Sequence, residues 1–367
     1  MIGIRCHLEV YQSRLALFGN YINSRLLSNE CQQGSTKEHH VPVMSKEVMK
    51  YLKPTSGSAF IDMTFGAGGH TRQILQSSPN VKVYALDRDP VAYGYAEGLA
   101  EEYPGQVIPL LGRFSELPEL LKKHKVMPSS VDGFLFDFGC SSMQFDVADR
   151  GFSLSKDGPL DMRMDGSRFP GEPTVADVLA RADETDLAQI LKVYGQEKAA
   201  KKIARAIIDA RYMFKTLKTT SQLAELVASV SGDGHRTDRL GRYAHSATKT
   251  FQAFRIFINN ELNEINYGMF IAERYLKQGG RLITISFHSL EDTIIKRHLT
   301  GSLENNQINI LPPRYTNCSK WFDHNEMETI TRSPWSMLHK HVITPETEEV
   351  ETNPRSRSAK FRAIMKV

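Results

Sequence analysis

The central part of the chain alternates short apolar runs with stretches in which apolar residues recur every three or four positions. Five of the runs are predicted as β-strands, and they cover residues 59–64, 81–86, 107–111, 131–136 and 281–288. The stretches between them have the spacing of amphipathic helices. Strands that alternate with helices in this way predict a parallel sheet with helices on both faces, so we expect an α/β fold.

The interval between the fourth and fifth predicted strands is too long for one crossover connection. Several apolar stripes at helical spacing lie within it, and Thr174 with Asp177 has the pattern of a capping pair at a helix start. We therefore predict an all-helical insertion over residues 146–248. A longer stripe over residues 251–265 is predicted as one helix that covers the sheet before the fifth strand.

The two ends of the chain differ from its middle. Residues 341–343 and 359–365 are predicted as strands that form an antiparallel pair at one sheet edge. Residues 1–37 carry four basic side chains against two acidic ones, and their apolar residues recur at spacings of three and four. Such a segment is typical of a mitochondrial transit peptide, although a surface helix or a frayed leader fits the same pattern.

A glycine-rich turn joins the first predicted strand to the helix after it. In residues 66–70 (Gly-Ala-Gly-Gly-His), glycines let the backbone approach a ligand, and the helix start offers free N–H groups. Asp87 ends the next strand, where a carboxylate can accept hydrogen bonds from ribose hydroxyls. A dinucleotide or S-adenosylmethionine fits this pattern. Thr71 replaces the third glycine of the dinucleotide fingerprint and Asp62 precedes the loop, which favours S-adenosylmethionine.

A further carboxylate, Asp137, directly follows the fourth predicted strand. The carboxyl ends of the strands in an open α/β sheet face the ligand. Asp137 is therefore a candidate for holding the cofactor or receiving a proton, and its alternative role is to cap a loop.

Composition excludes several classes of protein. Hydrophobic residues make up 41% of the 367 residues and charged residues 24%, which is ordinary globular usage and unlike a disordered tail, a collagen or a small disulfide scaffold. The four cysteines form no CxxC pair, and no stretch approaches 18 uncharged apolar residues. We therefore expect no zinc or redox motif and no membrane span.

Eight segments together resemble the RsmH (MraW) family of methyltransferases. They are residues 62–70 (DMTFGAGGH), 86–90 (LDRDP), 137–144 (DFGCSSMQ), 150–153 (RGFS), 157–165 (DGPLDMRMD), 250–255 (TFQAFR), 286–292 (SFHSLED) and 353–358 (NPRSRS). The resemblance runs from about residue 40 to residue 367. It implies a Rossmann-like class I methyltransferase sheet with an inserted all-helical domain. It also implies methylation of a cytidine N4 in small-subunit ribosomal RNA with S-adenosylmethionine as the cofactor.

The resemblance also implies an organisation and a location. Residues 1–38 become a leader, 39–145 and 249–367 the two parts of the methyltransferase domain, and 146–248 an RNA-recognition insertion. Cys140 and Met143 resemble the animal mitochondrial members, which favours the mitochondrial matrix. Without a transit peptide the location is the cytoplasm. The expected partner is small-subunit ribosomal RNA within the assembling subunit, with no membrane and no metal.

The family's cofactor contacts match seven positions of this chain. They are Gly68, Gly69 and His70 in the glycine loop, Asp87 at the ribose, Phe114 beside the adenine, and Asp137 and Gln144 near the reactive end. Asp137 is also the candidate proton acceptor, because the conjugated N4 amine of cytosine is a poor nucleophile and must lose a proton. His288, Glu291 and Asp292 are predicted to line the base pocket; equally, Ser289 caps a helix and the two acidic residues lie in its first turn.

Two other functions remain open on the sequence. Cys140 offers a thiolate for covalent attack at C6 of cytosine, which would give methylation at C5, although a small loop residue is the plainer reading. A ribosome-assembly factor that binds RNA and cofactor without catalysis is the second alternative. Trp321 and Trp335 either stack on a base or pack within the protein.

The net charge of +4 hides alternating blocks. Residues 195–218 carry seven basic and two acidic side chains, residues 353–367 carry five basic and none acidic, and residues 146–186 carry ten acidic and five basic. Basic blocks fit a polyanionic substrate. The predicted RNA contacts are Lys198, Lys201, Lys202, Arg205, Arg355 and Arg357. A solvated helix face explains the first four equally well.

Overall fold

The computed structural model describes residues 42–213, 216–231, 245–300 and 333–367. The predicted leader over residues 1–38 lies outside these ranges, as does Trp321. Across the described ranges, no helix is long and apolar enough to cross a membrane.

Within the described residues, seven strands form one sheet. They are β1 (Ala59–Asp62), β2 (Lys82–Asp87), β3 (Val107–Leu111), β4 (Val131–Asp137), β5 (Leu276–Ser286), β6 (Trp335–Met337) and β7 (Lys360–Lys366). Their order across the sheet is β3-β2-β1-β4-β5-β7-β6. The first five are parallel, whereas β7 is antiparallel to β5 and β6. This order is that of Rossmann-like class I methyltransferases, so the predicted fold class is confirmed.

Helices occupy the connections. They are α1 (Ser45–Leu52), α2 (Gly69–Ser77), α3 (Pro90–Glu102), α4 (Leu117–Lys123), α5 (Ser142–Asp146), α6 (Val175–Arg181), α7 (Glu184–Gly195), α8 (Ala200–Tyr212), α9 (Thr220–Ser231), α10 (Thr248–Ile258), α11 (Glu261–Tyr275), α12 (Ser289–Thr300) and α13 (Thr347–Thr352). Residues from α1, α2 and α3 bury one face of the sheet, around Leu135 and Phe361. Residues from α4, α11 and α12 bury the other face, around Phe134 and Phe136.

The strand order reverses between β1 and β4: β2 and β3 follow on the far side of β1, whereas β5 follows on the far side of β4. Ligands bind in the crevice outside the carboxyl ends of the strands at such a switch point. Three carboxylates end the strands there: Asp62 on β1, Asp87 on β2 and Asp137 on β4. The topology therefore brings together residues that lie up to 75 positions apart in the sequence.

The part of the chain from the end of β4 to the end of α10 folds around a core of its own. Helices α6 to α10 bury Leu187, Leu191, Ile203, Leu223, Phe251 and Phe254 in that core. The capping pair predicted for this segment is confirmed, because Thr174 Oγ1 accepts from Asp177 N and an Asp177 oxygen accepts from Thr174 N at 3.0 Å. That residues 146–248 form an RNA-recognition domain stays a prediction.

The prediction of one helix over residues 251–265 is wrong. The chain forms α10 and α11 with a break at Asn259 and Asn260, and Asn260 adopts a left-handed backbone with φ of 50°. Buried Asn259 donates to the carbonyls of Met162 and Arg255 and accepts from Met164 N at 2.7 Å. These bonds tie the end of α10 to the insertion, so α10 packs with the insertion while α11 covers the sheet.

The C-terminal edge of the sheet also differs from the prediction. The strand expected over residues 341–343 is reduced to a single bridge between Ile343 and Phe361. β6 pairs with β7 instead, and it begins at Trp335, whose ring is buried at 7% exposure. The packing role of Trp335 is the one the structure supports, because a buried side chain is not available to a base. The predicted strand over residues 359–365 is confirmed as β7.

Candidate active site

The glycine loop and Asp87 form one hydrogen-bonded unit. Gly66 N donates to Asp87 Oδ2 at 2.8 Å, and Asp89 N donates to Asp87 Oδ1 at 2.9 Å. Burial raises the pKa of the Asp87 carboxyl to about 6, although these backbone donors oppose the rise. Main-chain N–H groups therefore hold the carboxylate at the end of β2. Its oxygens can still accept further hydrogen bonds from a ligand in the crevice.

The backbone of the loop needs its glycines. Gly66 and Gly68 have φ of 56° and 79°, in the left-handed region that side chains resist. A Cβ atom on Gly68 would lie 2.6 Å from the ring of Phe65. Helix α2 starts at Gly69, and no side chain in the described part of the protein caps it, so its first N–H groups can meet a ligand.

Asp137 and His70 meet across the crevice. The Asp137 main-chain N donates to Thr64 Oγ1 at 2.7 Å, which fixes the end of β4 against the end of β1. His70 Nε2 lies 3.8 Å from Asp137 Oδ2. Both ring nitrogens of His70 and Asp137 Oδ1 are buried and have no hydrogen-bond partner among the described residues. Buried polar atoms without partners are costly, so they fit a site that a ligand completes.

Phe114 and Gln144, the remaining predicted cofactor contacts, have defined partners. The Phe114 ring meets Phe136 edge to face with centroids 5.5 Å apart. Gln144 is buried, and its Nε2 donates to Asp89 Oδ2 at 2.9 Å while its Oε1 accepts from Ser141 N at 3.2 Å. Gln144 thus ties the loop after β4 to the loop after β2, and its direct contact with cofactor stays a prediction.

A cluster around Asp165, which we call the arginine clasp, joins the insertion to the crevice. Arg88, Arg113 and Arg168 each donate to the Asp165 carboxylate. Burial alone would raise the pKa of Asp165, but hydrogen bonds and charge from Arg88 and Arg113 outweigh it and hold that pKa below its usual value. Because Arg88 follows Asp87 and Arg113 precedes Phe114, the clasp anchors two predicted cofactor contacts.

Asp165 and Arg88 belong to two of the family motifs, but no role was predicted for either from the sequence. The clasp was missed because its members come from the ends of two strands and from the insertion. One signal was present: residue 165 ends the motif over residues 157–165, and residue 88 lies within the motif over residues 86–90. A charged residue within a family motif that has no predicted ligand indicates an ion pair with another segment, and this was the signal that the two segments are in contact.

Arg255 lies at the centre of a second charged cluster. Its Nε and Nη2 donate to the two carboxylate oxygens of Glu261 at 2.8 and 2.9 Å, and Nη2 lies 3.9 Å from Glu291 Oε1. His288 Nε2 lies 2.9 Å from the same Glu291 oxygen. Glu261, His288 and Glu291 are a possible set of metal ligands by spacing, but the guanidinium already supplies the positive charge between them.

The acidic residues after β5 serve the helix that follows. Glu291 Oε2 accepts from Phe287 N at 2.7 Å and from His288 N at 3.2 Å, so Glu291 caps the start of α12. Asp292 binds Arg362 at 2.8 Å and Lys296 at 3.2 Å. The two acidic residues lie in the first turn of α12 as predicted, and Asp292 forms ion pairs with α12 and β7. The predicted cap Ser289 is instead the first residue of the helix, and its Oγ donates to Gln196 Oε1 at 3.1 Å.

The thiol of Cys140 is poorly suited to nucleophilic attack. Burial raises its pKa to about 12, although the nearby Arg255 charge opposes the rise. Arg255 Nη1 lies 3.5 Å from Cys140 Sγ. A thiol with such a pKa stays protonated at neutral pH, whereas a nucleophilic cysteine needs a thiolate. The geometry therefore disfavours the covalent alternative.

The predicted RNA contacts fall into two places. Lys198, Lys201, Lys202 and Arg205 are exposed on α8 and just before it. Arg355 donates to Asp146 Oδ1 at 2.9 Å, at the end of α5. Arg357 lies exposed in the same turn, Pro354–Ser358. The four cations at and just before the start of α8 are thus exposed, and Arg355 lies against the segment that follows Asp137.

The chain is similar to known methyltransferases over most of its length. The chain is 51% identical over 348 residues to the 12S rRNA N(4)-cytidine methyltransferase METTL15 of Mus musculus, covering 93% of this chain and 86% of that protein. It is 45% identical over 326 residues to the ribosomal RNA small subunit methyltransferase H of Parvibaculum lavamentivorans, covering 88% of each chain.

A third relative is much longer. The chain is 59% identical over 328 residues to a Culex quinquefasciatus protein named as a receptor-type tyrosine-protein phosphatase, mosPTP-1. That match covers 89% of this chain but only 22% of that protein, so the name of the whole carries no argument here. The family model described as the MraW methylase family matches residues 37–367. The chain therefore belongs to the MraW methylase family, whose cofactor is S-adenosylmethionine.

Proposed function

We propose that this protein methylates the N4 amine of a cytidine in mitochondrial small-subunit ribosomal RNA. The observation that carries the proposal is the pair of carboxylates at the switch point. Asp87 is fixed by backbone donors, whereas Asp137 keeps a buried oxygen without a partner among the described residues. In a member of the MraW methylase family, the first suits a cofactor ribose and the second suits an acceptor amine.

The residues of the crevice fit the cofactor. Gly68, Gly69 and His70 present the open start of α2, Asp87 accepts from the ribose hydroxyls, and Phe114 borders the adenine. Gln144 supports this arrangement by holding the Asp89 side chain. When bound, S-adenosylmethionine supplies an electrophilic methyl group on a sulfonium.

The chain's own groups then serve the acceptor base. The N4 lone pair of cytosine is conjugated with the ring, so the amine reacts only when it is held close to the methyl group and can lose a proton. Asp137 Oδ1, buried and unpaired in the described part of the chain, is our candidate to orient the amine and accept that proton. The base reaches this depth only from an unstacked or single-stranded segment of RNA.

The RNA itself needs a positive surface. We assign this role to the exposed side chains of Lys198, just before α8, and of Lys201, Lys202 and Arg205 on α8, and to Arg355 and Arg357 in the C-terminal turn. Phosphate contacts from such side chains set position and affinity, and they make binding sensitive to salt. In this proposal the insertion over residues 146–248 recognises RNA, residues 1–38 direct the protein to the mitochondrial matrix, and no membrane or metal is needed.

Mass spectrometry of small-subunit ribosomal RNA tests the proposal. Cells that lack the protein should lose N4-methylcytidine from that RNA, and the wild-type chain should restore it. The Asp137→Asn chain, expressed to the same level, should not. Unchanged N4-methylcytidine in cells without the protein would refute the substrate. If a chain that does not restore N4-methylcytidine nevertheless restores assembly of the small subunit, the non-catalytic assembly factor is supported instead.

A further inference from the structure

The crevice holds three buried polar atoms that the proposed cofactor contacts leave unexplained. They are the two ring nitrogens of His70 and Oδ1 of Asp137, and none has a hydrogen-bond partner within the described ranges. His70 is 6% exposed and its Nε2 lies 3.8 Å from Asp137 Oδ2. A buried imidazole normally secures at least one hydrogen bond, so this ring is positioned for a partner that arrives with the substrates.

The charged groups around the His70 ring leave Asp137 as the carboxylate that is available to it. Two carboxylates face His70, Asp62 from β1 and Asp137 from β4. Asp62 is already engaged, because its Oδ2 accepts from Thr71 Oγ1 at 2.7 Å and its Oδ1 accepts from Thr64 N at 3.2 Å. Arg72, two residues along α2, points away and pairs with Glu102.

We propose that the side chain of His70 receives, through Asp137, the proton that the N4 amine loses. This inference rests on the proposed function. The main chain of His70 belongs to the helix start assigned to the cofactor, and the inference concerns only its ring. His70 is thus a positioning and proton-relay residue that acts through Asp137, and Asp137 is the group that touches the amine.

The step balances as follows. The N4 lone pair forms the new N–C bond while the methyl C–S bond breaks and leaves its electron pair on sulfur, so the positive charge moves to the amine nitrogen. One N–H proton passes to Asp137 Oδ1. A proton then leaves the Asp137 carboxyl for His70 Nε2, which regenerates the carboxylate and yields an imidazolium between Asp62 and Asp137. Catalytic hydrogen bonds are often long before substrates bind and shorten in the complex.

An imidazole adds what a carboxylate lacks. A carboxylate alone is a weak base, and a group that titrates near neutral pH is the better proton acceptor at the operating pH. The neutral ring is required for uptake, so the turnover number kcat should fall as the pH is lowered. Saturating S-adenosylmethionine is needed in this measurement, because the Asp87 pKa of about 6 also makes cofactor affinity depend on pH.

His70→Gln tests the inference, since glutamine keeps hydrogen-bonding groups but cannot titrate. We expect kcat on a small-subunit ribosomal RNA fragment to fall about 10- to 100-fold, as for loss of part of a general-base system. The acidic limb of the pH profile should disappear. The Kd for S-adenosylmethionine, measured by calorimetry, should stay within about threefold, a change of less than 1 kcal/mol. Arg72→Gln on the same helix is the matched control and should match the wild type.

Two results would overturn the inference. One is a wild-type kcat and pH profile in His70→Gln. The other is a tenfold rise in Kd with kcat unchanged, which would make the ring a cofactor anchor. His70→Asn replaces the glutamine variant if that one fails to fold. If the wild-type enzyme makes no N4-methylcytidine, the proposed function itself has failed, whereas a difference confined to the variants bears on His70 alone.

Discussion

Two acidic residues, Asp165 and Asp137, show how the same side chain serves structure in one region and chemistry in another. Asp165 is surrounded by three arginines and both of its oxygens are paired. Asp137 has a neighbouring imidazole at 3.8 Å and one oxygen without a partner in the described part of the chain. The first site is complete within the protein, and the second is completed by what binds to it.

The difference teaches how to distinguish the two roles. A carboxylate whose two oxygens are both paired holds segments together, and its loss leaves buried cations without a counter-charge. An unsaturated carboxylate in a crevice costs stability when the site is empty and is retained for its ligand. The clasp and the crevice are nonetheless linked, because Arg88 and Arg113 flank predicted contacts of the cofactor. We expect mutations to separate the two roles.

The largest effect should come from Asp87→Ala, on the crevice side of the comparison. The carboxylate is expected to accept two hydrogen bonds from ribose, and bonds to a charged group contribute about 1.5–3 kcal/mol each. Affinity for S-adenosylmethionine should therefore fall about 10²- to 10⁴-fold by calorimetry. Arg72→Gln, exposed on α2, serves as the control. Unchanged affinity in Asp87→Ala would refute the cofactor assignment.

The clasp should respond in stability. Asp165→Asn leaves three partly buried guanidiniums without their shared carboxylate, which should cost about 3–5 kcal/mol in the free energy of unfolding. Urea denaturation measures it. The exposed pair of Arg72 and Glu102 gives the comparison, since Glu102→Gln should leave the midpoint unchanged. Asp137→Asn should lower stability far less than Asp165→Asn, and equal losses would erase the distinction between the two regions.

A smaller effect should appear with pH. The Asp87 pKa lies at about 6 in the free protein, and its protonated form cannot accept a hydrogen bond at both oxygens. Affinity for S-adenosylmethionine should thus weaken as pH falls below about 6, by up to tenfold per unit. Asp165 has a lowered pKa and stays ionised over the same range, so the clasp should persist. A pH-independent affinity above pH 4 would contradict this assignment of Asp87.

The smallest effect should come from Cys140→Ala. A thiol whose pKa is raised to about 12 is protonated at pH 7, so its removal should leave kcat within about twofold, below 0.5 kcal/mol in the activation barrier. Methyl transfer to an RNA fragment measures this, with Cys140→Ser as the companion variant. A loss of several orders of magnitude, with methylation found at C5, would restore the covalent mechanism.

Local patterns in the sequence predicted most of the sheet. The five parallel strands were recognised because each is a short apolar run bounded by turn residues, and Asp87 and Asp137 followed because parallel strands end at one edge. The break between α10 and α11 was missed because the apolar stripe continues across it. Asn259 ends the helix through bonds to Met162 and Met164, which no helical periodicity reveals. β6 was missed because its three residues are too few to show the alternation of apolar and polar side chains that indicates a strand.

The sequence by itself therefore determined the fold class and the family, and it predicted the residues that meet the cofactor, because these depend on periodicity and on motifs of adjacent residues. Only the tertiary structure decided which acidic residues are saturated and which are left for a ligand. Asp165, Arg88, Arg113 and Arg168 converge from separate segments, and the free atoms of His70 and Asp137 are defined by what does not reach them among the described residues. Pairing and burial are properties of three-dimensional neighbours, and a linear pattern does not contain them.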